Sequence, residues 1–237
     1  MKKKILLFIA AFISLNLAAQ DIQIKIDKHF TSKSMDSIIN IINEITKSNI
    51  DGKNRYLTYW NAYALYRKSL LLNEAEGNKK EADKELSKAK KILEKTGKKN
   101  AEDYALLGML YNYSIAFANF VRQPFLSNKA KSFANEAIRL NSQNPRAYLV
   151  LGINDYYTPV AFGGQTKCKE YFLKAIELED KVSNNDFDPS WGKNEAYYYL
   201  FLYYINVEKN VDEAKIIYRK ALKLFPDDNL FLQFKKK

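Results

Sequence analysis

The chain reads as an all-α protein of antiparallel helix pairs stacked as a solenoid, and three observations predict it. Small and large residues recur at fixed helical spacings. Ala214, Tyr218, Ala221 and Pro226 follow Leu200 and Tyr204; Ala130, Ala134 and Ala137 follow Tyr104, Leu107, Gly108 and Tyr111; Cys168, Phe172 and Ala175 follow Tyr148, Leu151 and Gly152. Small residues at these intervals let two helices approach closely, while large ones fill the space beside them. Between the copies, apolar residues three and four apart mark further helical faces. One such pair cannot bury its own apolar face, so it must stack on neighbours.

The elements follow in order. Lys2, Lys3 and Lys4, the apolar run Ile5–Ile13 and the small, polar residues Ser14–Gln20 have the three-part layout of a cleaved signal peptide over 1–20. Cleavage after Gln20 is the leading reading and after Ala19 the alternative. The run is shorter than the roughly 20 residues that span a bilayer, and no later segment is long and apolar enough to span one. Residues 21–53 form a lead-in and a capping helix. Ile22, Ile24 and Ile26 alternate with polar residues and read as an extended lead-in. Ser34 is placed to cap a helix through Met35, Ile38, Ile39, Ile42 and Ile45.

About four repeats then fill residues 54–226. The first pairs an aromatic helix over Arg55–Glu74 with a lysine-rich one carrying Ala82, Leu86, Ala89 and Leu93. The second runs from about Ala101 to Leu140, with Arg122, Gln123, Pro124 and Phe125 in an extra connecting segment. The third begins at Pro145, suited to a first helical turn. It carries the insertion Thr158–Gly164 before a helix over Gln165–Leu178. After a loop from Ser183 to Lys193, the fourth covers Asn194–Phe225. Residues 227–237 supply a short capping helix, with Leu230, Phe231 and Phe234, and a basic tail.

These copies resemble the tetratricopeptide repeat (TPR) family, over roughly residues 54–226. The resemblance implies a right-handed superhelical solenoid that serves as a binding scaffold, with the first helix of each pair lining the concave surface. The family's groove positions fall on Met109, Asn112 and Tyr113 in the second repeat, and on Arg146, Leu149, Ile153, Tyr156 and Tyr157 in the third. In the fourth they fall on Tyr198, Leu202, Ile205 and Asn206. Tyr59, Tyr63 and Arg67 are looser choices in the first. Only Asn112 and Asn206 partly match the carboxylate clamp of chaperone-binding members. The Ala-Gln ending of the signal segment resembles exported Bacteroidetes proteins, and the Phe162-Gly163-Gly164 segment resembles exported bacterial TPR proteins, some similar to the periplasmic TPR subunit of TRAP-type transporters.

Other chemistry finds little support. His29 is the only histidine, so no nucleophile has a histidine partner and no Cys/His group holds zinc. Asn184, Asn185, Asp186 and Asp188 lack the glycine and terminal glutamate of a calcium loop. Gly163-Gly164 precede a helix without a phosphate-loop pattern and read as a structural turn. Cys168 takes a small-residue position and reads as a buried apolar residue. The formal charge of +11 is spread over helix faces and ends, unlike a nucleic-acid-binding patch. No enzyme, metal or cofactor is expected.

The expectation is an exported, non-enzymatic scaffold, periplasmic or secreted, that binds a peptide or protein along a tyrosine-lined face. Tyrosine suits that task, with a broad apolar face, a polar tip and few rotatable bonds. Met109, Tyr113, Tyr156 and Tyr198 would supply apolar contact; Asn112, Arg146 and Asn206 would bond backbone or carboxylate groups. The runner-up is a transporter accessory that holds a small molecule near 158–164. A third reading is an assembly scaffold that works by its convex face or by self-association.

Overall fold

The computed structural model describes residues 22–74, 77–180 and 188–234 of the chain. The expected signal segment with its cleavage point, residues 184–186 and the terminal lysines lie outside the described residues. Among the described residues there are helices and turns and no strand. They form two compact units, one over 22–96 with 188–189 and the other over 97–180 with 190–234.

The N-terminal unit holds α1 (22–31), α2 (Met35–Ser48), α3 (Arg55–Glu74) and α4 (Lys79–Lys95). The expected extended lead-in is instead helix α1. The alternation of isoleucines is overridden by a four-residue spacing: Ile26 is fully buried and Ile24 largely exposed. Docking on α3 selects the helix. The Tyr63 hydroxyl donates to Asp27 at 2.7 Å, and Arg67 lies 3.4 Å from the same carboxylate oxygen and 4.7 Å from the centre of the Phe30 ring. At α2, Ser34 stands at the N-cap, but its hydroxyl donates to Ser37 rather than accepting from an amide. Helix α3 lies between α2 and α4 and is buried around most of its circumference. Ala82 and Ala89 of α4 are fully buried, and Ser69 of α3 donates to the Ala82 carbonyl at 2.8 Å.

The C-terminal unit repeats one arrangement three times. Helix α5 (Ala101–Ser114) packs on α6 (Gln123–Leu140), α7 (Pro145–Tyr157) on α8 (Cys168–Glu177), and α9 (Lys193–Asn206) on α10 (Val211–Leu224). Successive pairs join through α5 against α7 and α7 against α9. The four-residue helix α11 (Asn229–Leu232) packs on α9 and α10 with Phe231 fully buried, and Asp228 caps it by accepting from the Leu230 amide. Two boundaries differ from expectation. Gln123, Pro124 and Phe125 belong to the first turn of α6, where proline's missing N–H costs no hydrogen bond. Helix α8 starts at Cys168, three residues late, because the Asp155 carboxylate accepts from the Lys167 and Cys168 amides, each at 2.8 Å.

The small residues lie where helices come closest. A β-carbon on Gly108 would stand 2.9 Å from Val150 Cγ1 and 3.2 Å from the Ala130 carbonyl oxygen. On Gly152 it would fall 2.6 Å from Cδ1 of the fully buried Phe172 ring. Gly152→Ala should therefore lower stability by about 1–3 kcal/mol through overpacking, despite alanine's better helix propensity. Thermal denaturation checks this, and adding Phe172→Leu should recover part of the loss by making room.

Candidate binding surface

Most of the residues expected to face a partner are committed inside the fold. Arg146 is fully buried. Its guanidinium donates to the Glu102 carboxylate through Nε at 2.5 Å and Nη2 at 2.6 Å, and through Nη1 to the carbonyls of Asp180 and Trp191 at 3.0 and 3.3 Å. Asn144 caps α7 by accepting from the Arg146 and Ala147 amides, and its own amide donates to Glu102 at 3.0 Å. The segment before α9 covers this cluster. Trp191 is 3% exposed, and Gly192, at φ +108°, lies so close that a β-carbon would stand 3.2 Å from Leu149 and 3.3 Å from Arg146. The inner positions of α7 at 146 and 149 are thus filled by the chain's own loop.

Asn112 is likewise engaged. Its amide donates to the Val150 carbonyl at 2.8 Å while its oxygen accepts from Asn154 at 2.7 Å, and Ser127 donates to Asn154 at 3.0 Å. This buried relay ties α5, α6 and α7 together. Met109 is buried beside it, and Tyr113 is half-buried with its ring edge-on to Phe117 at 5.2 Å. In the N-terminal unit, Tyr59, Tyr63 and Arg67 are all buried, the last two in docking α1.

What reaches the surface is an aromatic cluster on α7 and α9. Tyr157 is 63% exposed and stands edge-on to Tyr156 at 5.0 Å and to Tyr199 at 6.0 Å. Tyr199 stacks on Phe172 at 5.7 Å and meets half-buried Tyr198 at 5.5 Å. The Tyr156 ring is buried, and its hydroxyl accepts a 2.9 Å bond from the exposed Asn206 amide. Burial pushes that hydroxyl's pKa above its ordinary value, partly opposed by the bond from Asn206. The insertion continues from Tyr157 with Val160 and Phe162, both about 70% exposed, in a 3-10 turn ended by left-handed Gly163. Of the expected residues, Tyr156, Tyr157, Tyr198 and Asn206 are brought together. Glu102, Asn154 and Tyr199 stand outside the expected set; only the first-turn acid at Glu102 gives a local signal, and helix-end electrostatics explains such an acid without a partner.

The amides leading into α8 are occupied by Asp155, in keeping with a structural turn at Gly163-Gly164. Cys168 is fully buried, as its small-residue position implied. Burial, aided by the nearby Asp155 charge, pushes its thiol up to about 11. Among the described residues, no group of three or more His, Cys, Asp or Glu could hold a metal ion, and no helix is long and apolar enough to cross a membrane.

No family model matches the chain, and no curated protein sequence matches it. Solved structures do share its architecture. A thermophilic TPR protein of Thermus thermophilus, TTC0263, aligns with a TM-score of 0.58 at 17% identity, over 91% of this chain and 97% of that one. The HusA haemophore of Porphyromonas gingivalis aligns with a TM-score of 0.52 at 22% identity, over 76% of this chain and 94% of its own. At these identities the likeness is one of fold, and the fold is a TPR-like array of helix pairs.

Two outcomes follow from the buried groups. Arg146→Ala leaves the Glu102 carboxylate buried without its partner and should cost about 3–5 kcal/mol in chemical denaturation; Arg146→Lys, unable to form the paired fork, should fall between. The Cys168 thiol keeps its proton in the folded state from its ordinary 9.0 up to about 11, whereas the unfolded chain releases it. Its contribution to stability is therefore complete below pH 9 and lost as pH rises through that window. A Cys168→Ala comparison by denaturation at pH 8 and pH 10.5 should show the wild type losing the more stability.

Proposed function

We propose that this chain is an exported, non-enzymatic helical-repeat protein that binds a peptide segment of a protein partner on the tyrosine surface of α7 and α9. The observation that carries the reading is the exposed Tyr157 ring, braced edge-on by Tyr156 and Tyr199 beside the exposed Asn206 amide. A braced aromatic loses little freedom on binding, and a neighbouring amide can bond a peptide backbone. The expected peptide site thus contracts from the whole inner face to Tyr156, Tyr157, Tyr198 and Asn206. Export rests on the three-part layout of residues 1–20.

A second reading has its own observation. Val160 and Phe162 stand exposed just beyond Tyr157 in the chain and add apolar area that suits a flat small molecule. The structural neighbour described as a haemophore makes haem the first such ligand to try.

Affinity purification from the native cell envelope, with wild-type and Tyr157→Ala proteins in parallel, tests the first reading. One partner protein should be retained by the wild type and weakened about tenfold or more in the variant, with helical circular dichroism unchanged. Equal retention by both would reject this surface. Titration with haem, followed in the Soret band, tests the second. Saturable binding lost in Phe162→Ser would select it, and no saturable change would remove it.

A further inference from the structure

The N-terminal unit has a concave feature of its own, lined by none of the residues of the tyrosine surface. Helices α2, α3 and α4 enclose an open cleft of about 460 Å³, within the range of small-molecule sites. Its floor is apolar: Ile39 and Ile42 from α2, Leu65 from α3 and Ile92 from α4. One rim is cationic, because Lys88, Lys91 and Lys95 project from one face of α4 and Lys68 from α3. Asn43 and Thr46 of α2 and Asn61 of α3 add neutral polar groups to the lining.

The charges do not cancel within the cleft. Its single acid, Glu85, is nearly fully buried and lies 2.7 Å from Lys88 and 3.3 Å from Lys68. Lys91 and Lys95 have no acidic partner among the described residues. Two lysines without an acidic partner beside an aliphatic floor specify two features of an occupant: an anion and one apolar chain.

We propose that this cleft binds a single-chain anionic phospholipid. The acyl chain lies on Ile39, Ile42, Leu65 and Ile92, and the phosphate faces Lys91 and Lys95. An apolar ligand without charge would leave the lysine rim unused, and a free phosphate would leave the floor exposed.

Isothermal titration of the mature protein with myristoyl lysophosphatidylglycerol, held below its micelle concentration, provides the test. The expected result is saturable one-to-one binding that weakens with added salt. It should weaken about tenfold or more in Lys91→Glu/Lys95→Glu and in Ile42→Gln. Both variants alter half-buried or exposed positions, and circular dichroism checks their folding. Three results would overturn the proposal: no wild-type binding, equal affinity for the zwitterionic choline analogue, or equal affinity for glycerol phosphate alone. Tyr157→Ala should leave this binding unchanged, so failure here and failure of the peptide reading are separately visible.

Discussion

The C-terminal unit depends on the buried ion pair between Glu102 and Arg146. Two charges removed from water are destabilising unless every remaining donor and acceptor finds a partner. Here the guanidinium has two carboxylate oxygens and two backbone carbonyls, and Asn144 adds a further donor to the acid. The partners come from α5, α7, the end of the α8 segment and the stretch before α9. One demand for satisfaction therefore fixes the register of four pieces of chain. The Asn112–Asn154–Ser127 relay repeats the device on α5, α6 and α7.

These polar spines change how the inner face works. A position that matches a groove residue of the repeat family stays open to solvent only while no other part of the chain has claimed it. The segment carrying Trp191 and Gly192 has claimed positions 146 and 149, and α1 has claimed Tyr63 and Arg67. The part left exposed is smaller: Tyr157 projects at the end of α7 and Asn206 at the end of α9. Its rigidity comes from ring-on-ring contact rather than from burial of Tyr157 itself.

The helix pairs are legible in the sequence because their signal is local. The spacing of Ala130, Ala134 and Ala137, or of Gly152 before Phe172, records helix proximity directly, and α3 has the limits its aromatic run suggests. Helix α1 is not legible in the same way, because Ile22 and Ile26 fit both a two-residue and a four-residue period, and only the distant Tyr63 and Arg67 decide between them. The site is less legible for the same reason. Periodicity tells which face of a helix is apolar; it does not tell that a loop forty-five residues away will return to lie on Arg146.

The chain contains two tryptophans, and each is buried in a different unit: Trp60 at 1% exposure in α3 and Trp191 at 3% before α9. The first sits edge-on between Tyr59 and Tyr63; the second lies beside the Arg146 guanidinium. Their indoles thus occupy dissimilar settings, one among tyrosine rings, the other beside the Arg146–Glu102 ion pair. The protein carries a native indole reporter in each half, and replacing one tryptophan at a time with phenylalanine would assign the remaining emission to its own unit.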